Sequence, residues 1–111
     1  MANKTFAEYE SIIAETAIYP DVGTGSPMAL AYTALGLTGE AGEFSEKVKK
    51  WIRDGKIDKP LSAKELGDVL WYLAASAREL GYSLQDIAEI NMVKLLSRKE
   101  RGTLQGSGDE R

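Results

Sequence analysis

Gly36-Leu37-Thr38-Gly39-Glu40-Ala41-Gly42-Glu43 is the stretch that decides the fold, and after a gap of 21 residues it is answered by Glu65-Leu66-Gly67-Asp68. Each segment carries two acidic residues at i, i+3, which puts both on one side of a helix. At about 100° per residue, Leu37, Ala41, Phe44, Val48 and Trp51 form an apolar stripe. Glu40 lies at its edge and Glu43 one step outside. Leu66, Val69, Leu73, Ala77 and Leu80 form a second stripe, with Glu65 at the edge and Asp68 one step beyond. If the stripes pack as antiparallel neighbours, four carboxylates line one side of the seam. Such a group is unstable without a positive charge among its members.

The chain has no His and no Cys, so zinc, copper and His-containing di-iron sites lose their usual ligands. An all-carboxylate set suits a hard cation, Mg²⁺ or Mn²⁺, and Mg²⁺ commonly bridges carboxylates and substrate phosphates. Gly36, Gly39, Gly42 and Gly67 lie in or beside the acidic turns, although a helical glycine costs roughly 0.5–1 kcal/mol relative to alanine. Close helix packing and room for a metal and its ligand both account for them.

Outward from the acidic pairs, the periodicity is helical throughout. Phe6, Tyr9, Ile12, Ile13 and Ala17 predict a first helix from Thr5 to about Ala17, capped by Thr5 or Asn3. Tyr19-Pro20 ends it, and Asp21 to Pro27 form a loop. Ser26-Pro27 starts a long helix that runs to about Arg53 and stops at Asp54-Gly55. Lys56 to Leu61 reads as a linker, after which Ser62-Ala63-Lys64-Glu65 has the form of a capping box opening a third helix that closes at Gly81. That box supplies an ordinary structural reason for Glu65. Ser83-Leu84-Gln85-Asp86 opens a fourth helix through about Lys99. The expected organisation is one all-α domain, a bundle of about four helices over 1–100, followed by a glycine-rich polar tail over 101–111.

At 111 residues and a net charge of −3, the chain has a modest core, and neither a nucleic-acid backbone nor an anionic membrane suits it as the main partner. A homodimer or homotetramer is expected. Without cysteine, a signal peptide or an apolar run near 18 residues, the expected setting is the cytoplasm.

Three further clusters bear on chemistry. Lys47 and Lys50 follow Glu43 at i+4 and i+7, and Arg53 lies near the helix end. They suit either salt bridging along the helix or phosphate neutralisation near a metal. Asn91, Lys94 and Arg98 fall within about 40° of one line, as a solvated basic face or as a row of donors for an anionic ligand. Tyr72 stands one turn beyond Asp68, in the core or against a ligand. Trp51 and Trp71 offer flat surfaces for packing, subunit contact or base stacking.

Glu40-x-x-Glu43 and Glu65-x-x-Asp68 at this gap resemble the metal-binding signature of the MazG-like nucleotide pyrophosphohydrolases. The resemblance takes in the glycine-rich segment around Glu40, Glu-Leu-Gly-Asp-Val-Leu-Trp-Tyr from Glu65, Asn91-x-x-Lys94 with Arg98, the Tyr19-Pro20 region and the tail, as in small single-domain members, some of them phage-encoded. It implies an all-α dimer or tetramer that cleaves a nucleoside triphosphate between the α and β phosphates. It also implies that Glu40, Glu43, Glu65 and Asp68 hold Mg²⁺. Some members carry a further glutamate where this chain has Gly39, which bears on the number of metals and on which carboxylate activates water. Glu40 is our candidate for that base. Lys47, Lys50, Arg53, Tyr72, Asn91, Lys94 and Arg98 are candidate substrate contacts. A different class stays open beside this one: a non-catalytic helical assembly module or nucleotide sensor, in which the acidic cluster serves structure or binding alone.

Overall fold

A computed structural model describes residues 4–111; Asn3, the alternative cap of the first helix, lies outside them. Four helices follow in order: α1 (Phe6–Thr16), α2 (Pro27–Asp54), α3 (Lys59–Glu79) and α4 (Leu84–Arg101). No strand occurs among the described residues. Thr5 caps α1 by accepting the Glu8 amide. Ser26 caps α2 through the Ala29 amide, and Gly55, at φ 78°, closes it in the left-handed conformation that favours glycine. Ser83 and Asp86 form a reciprocal capping box at the start of α4.

α3 departs from the sequence expectation. It opens at Lys59, with Asp58 as its cap accepting the Leu61 amide. Pro60 sits in the first turn, where a missing N–H costs nothing. Ser62 is thereby drawn inside the helix, its hydroxyl donating to the Asp58 carbonyl at 2.8 Å. The capping box ending on Glu65 does not form, so Glu65 is free of that duty.

α2 and α3 make the largest contact in the molecule. Three pairs fix their sense: Ser76 Oγ donates to Thr33 Oγ1 at 2.9 Å, the Tyr72 ring lies on Gly36, and Glu40 faces Asp68. As numbers rise on α2 they fall on α3, so the two run antiparallel. A Cβ on Gly36 would stand 2.2 Å from the Tyr72 ring, so this crossing requires glycine. No atom outside the local helix backbone lies within 4 Å of a Cβ built on Gly39, Gly42 or Gly67; close packing explains Gly36 and leaves those three open.

α1 and α4 pack on α3 and on each other, and α4 makes no contact with α2. With neighbours on both sides, α3 buries small residues, Ala74, Ala75 and Ala77. The expected stripes hold only in part: Leu37, Phe44, Val48, Val69 and Leu73 are half-buried and Ala77 is buried, but Ala41 is exposed and Trp51, Leu66 and Leu80 are 46%, 49% and 58% exposed. The buried core gathers Ile13, Tyr19, Ala29, Ala74, Ala75 and Leu84.

The loop between α1 and α2 is tied down by one carboxylate. Glu79, buried at the end of α3, accepts the Tyr19 hydroxyl, the Gly23 amide at 2.8 Å and the Gly25 amide at 2.9 Å. Burial alone would raise its pKa, but these three donors and the charge of Arg78 together hold the carboxyl below its ordinary range. Burial and the bond to Glu79 push the Tyr19 hydroxyl up to about 12.

Candidate functional site

Glu40 on α2 and Glu65 and Asp68 on α3 each offer a carboxylate oxygen within 4.8 Å of the others. The i, i+3 spacing brings Glu65 and Asp68 to one side of α3, and the antiparallel register set by Thr33 and Gly36 carries Glu40 to meet them. No ion pair joins any of the three to a lysine or arginine among the described residues. The electrostatic consequence falls on Glu40. Burial, then the charges of Asp68, Glu65 and Glu43, and a hydrogen bond with Glu65, raise its pKa. Glu43 is thus felt by the cluster without belonging to the close triplet.

Beside Glu40 and Asp68 opens a cavity of about 540 Å³, walled by Tyr19, Tyr32, Trp71 and Tyr72 and rimmed by Thr16, Ile18 and Pro20. Tyr19 and Tyr32 stack at 5.6 Å with an interplanar angle of 15°. Trp71 stands edge-on to Tyr19 at 6.3 Å and to Tyr72 at 5.0 Å. Trp71 Nε1 donates to Thr16 Oγ1 at 3.0 Å, which fixes the indole against the end of α1. Burial, then Tyr32, Glu40 and Asp68, raise the pKa of Tyr72; burial and Asp68 do the same for Tyr9. The arrangement is a flat-walled pocket, within the size range of small-ligand sites, with anionic oxygens at one end.

Of the sequence candidates, Glu40, Asp68 and Tyr72 line this cavity, and Glu65 joins them through the triplet. Lys47, Lys50, Arg53, Asn91, Lys94 and Arg98 do not line it. Arg53 is bidentate to its neighbour Asp54, at 2.8 and 2.9 Å. Asn91 lies on a separate groove with Phe6, Leu70 and Leu73, while Lys94 and Arg98 bind Asp109 of the tail. Tyr19 and Tyr32 were not singled out by side-chain chemistry. Their signal is weak: Tyr32 follows Pro27 on α2 as any helical aromatic would, and only the register with α3 makes it a wall.

The donor set fits a hard divalent cation. Three carboxylates offer oxygen only, they lack a counter-charge among the described residues, and burial together with that crowding raises the pKa of Glu40. No helix among the described residues is long and apolar enough to cross a membrane.

The MazG nucleotide pyrophosphohydrolase domain matches residues 30–103, which run from α2 through the end of α4. The Gene 37 protein of Mycobacterium phage L5 is 47% identical over 110 residues, covering 93% of this chain and 96% of that protein. No solved structure gives a significant match.

Proposed function

The chain belongs to the MazG nucleotide pyrophosphohydrolase family, and we propose that it is a Mg²⁺-dependent nucleoside triphosphate pyrophosphohydrolase. Water attacks the α phosphorus of an NTP or dNTP, the bond to the bridging oxygen breaks, and the monophosphate and pyrophosphate leave. The observation that carries this reading is the carboxylate triplet at the end of an aromatic cavity.

Glu40, Glu65 and Asp68, with Glu43 completing the set, would hold Mg²⁺, or Mn²⁺ in its place. When bound, the ion supplies charge neutralisation for the phosphates and makes water easier to deprotonate. The aromatic walls take the base by stacking, with Tyr72 bridging the two ends. Glu40 is the general base: like Asp68 it is shared between cavity and cluster, and burial together with the neighbouring carboxylates raises its affinity for a proton.

The cations remain to be brought to the triphosphate, and α4 does not touch α2. Assembly into a homodimer or homotetramer answers both this and the shape of the chain. Its radius of gyration is 16.6 Å, against about 13 Å for a compact domain of this length. Ile52 and Val93 stand 82% and 70% exposed. A folded monomer in sedimentation at micromolar concentration would refute the assembly. In this reading the protein cleanses or adjusts a cytoplasmic nucleotide pool.

The deciding experiment is a panel of NTPs and dNTPs with Mg²⁺, read separately for pyrophosphate and orthophosphate. Pyrophosphate release in equal amount to monophosphate is expected for at least one nucleotide. Tight nucleotide binding with no turnover would make the protein a sensor instead.

A further inference from the structure

Beyond α4 the chain turns back on itself. Gly102, at φ 71°, ends the helix, and the Thr103 amide bonds the Arg98 carbonyl at 2.8 Å. The returning segment is clasped by Arg111, which donates to the carbonyls of Thr103, Leu104 and Gly108. This sets Asp109 over the basic pair of α4. Lys94 Nζ meets Asp109 Oδ1 at 2.8 Å, Arg98 Nη2 meets the same oxygen at 3.3 Å, and Nη2 also donates to the Asp109 carbonyl at 2.6 Å.

Two properties make this contact look like a substitution for something larger. Arg98 is only 5% exposed, and a guanidinium held so far from water is expected to have all its donors satisfied. Yet, among the described residues, its Nε is buried without a partner, as is Thr103 Oγ1. Asp109, in contrast, is 76% exposed and gives a single side-chain oxygen to both cations. A tetrahedral phosphate offers more acceptors than that one oxygen and carries more charge.

We propose that Asp109 is a displaceable internal stand-in for a phosphate, and that the 103–111 strap competes with the substrate's phosphates for Lys94 and Arg98. This rests on the functional reading above only for the identity of the natural ligand; the anion site itself is Arg98 and Lys94, with Asp109 of the strap as its occupant. Charge at Asp109 then sets how readily the site opens, because its pair with Lys94 is exposed, and an exposed ion pair is weak and screened by salt.

Inorganic tripolyphosphate is the probe, titrated calorimetrically into the full-length protein without metal at fixed salt. Asp109→Asn should tighten binding by roughly three- to tenfold. Glu110→Gln changes the same net charge on the same strap without removing a bond to either cation, and should leave affinity at the parent value. Tripolyphosphate should also loosen the strap, read as sharpening of the Gly106 and Gly108 amide resonances. Unchanged or weaker binding by Asp109→Asn overturns the proposal, as does equal tightening by Glu110→Gln. If no nucleotide is hydrolysed but Asp109→Asn tightens the probe, the strap stands and the activity falls; hydrolysis with an inert Asp109→Asn does the reverse.

Discussion

Glu79 and Glu40 carry the same side chain, on adjacent antiparallel helices, and are treated in opposite ways. Glu79 is buried and receives three donors, so its carboxyl is held below the ordinary range. Glu40 is less buried, meets other carboxylates in place of donors, and is raised. The difference separates a carboxylate completed by the fold from one that the fold leaves uncompensated. A buried carboxylate that only holds a loop is given its partners by the fold. A cluster left with mutual repulsion is stable only to the extent that something from outside neutralises it.

The sharpest way to break this contrast is at Asp68. Asp68→Asn keeps the shape and removes one charge. Mg²⁺-dependent pyrophosphate release should fall by roughly two orders of magnitude or more. The metal-free protein should unfold at the same temperature as the parent or higher, since repulsion on Glu40 is relieved. Unchanged turnover at limiting Mg²⁺ would mean that the triplet is not the metal site.

Glu79 should behave in the converse manner. Glu79→Ala leaves the Tyr19 hydroxyl and two amides without their acceptor, and should cost about 2–4 kcal/mol in chemical denaturation. The pH dependence has a definite sign. The folded carboxyl titrates below its ordinary value of 4.5, so the unfolded chain takes up the proton first. Its contribution is complete above that value and is lost as pH falls through the folded pKa. The stability gap between the parent and Glu79→Gln should therefore narrow on acidification below about pH 4.5. A gap independent of pH would show that charge on Glu79 is immaterial.

Much of this was legible in the sequence, and the limits were physical. Helix number and the caps at Thr5, Ser26 and Ser83 follow from local chemistry. The acidic pairs announce a shared face because i, i+3 spacing does not depend on tertiary context. The start of α3 is ambiguous in sequence because Ser62 and Asp58 both offer a cap, and the fold uses Asp58 with Pro60 in the first turn. Tyr32 and Glu79 are silent in sequence since each acquires its role from a partner on another segment, Tyr32 by stacking on Tyr19 and Glu79 by accepting the Tyr19 hydroxyl. The strap was silent for the same reason: a polar glycine-rich tail gives no periodicity, and Arg98 is buried partly by the chain that follows it.

The smallest expected effect tests the register that joins the two carboxylate regions. Gly36 and Gly42 lie on the same helix, on either side of Glu40, and differ in their surroundings. A Cβ at Gly36 meets the Tyr72 ring at 2.2 Å, whereas one at Gly42 meets nothing within 4 Å. Gly42→Ala should gain the helix-propensity difference, roughly 0.5–1 kcal/mol. Gly36→Ala gains the same propensity but must move an aromatic ring in a packed crossing, so a net loss of about 1–2 kcal/mol is expected. The displaced ring is a wall of the cavity, so Gly36→Ala should also raise KM for the preferred nucleotide while Mg²⁺ affinity holds. Thermal unfolding and steady-state kinetics on the pair check both signs. If the two alanines shift stability in the same direction, the Gly36–Tyr72 contact does not set the α2–α3 register, and the meeting of Glu40 with Asp68 needs another cause.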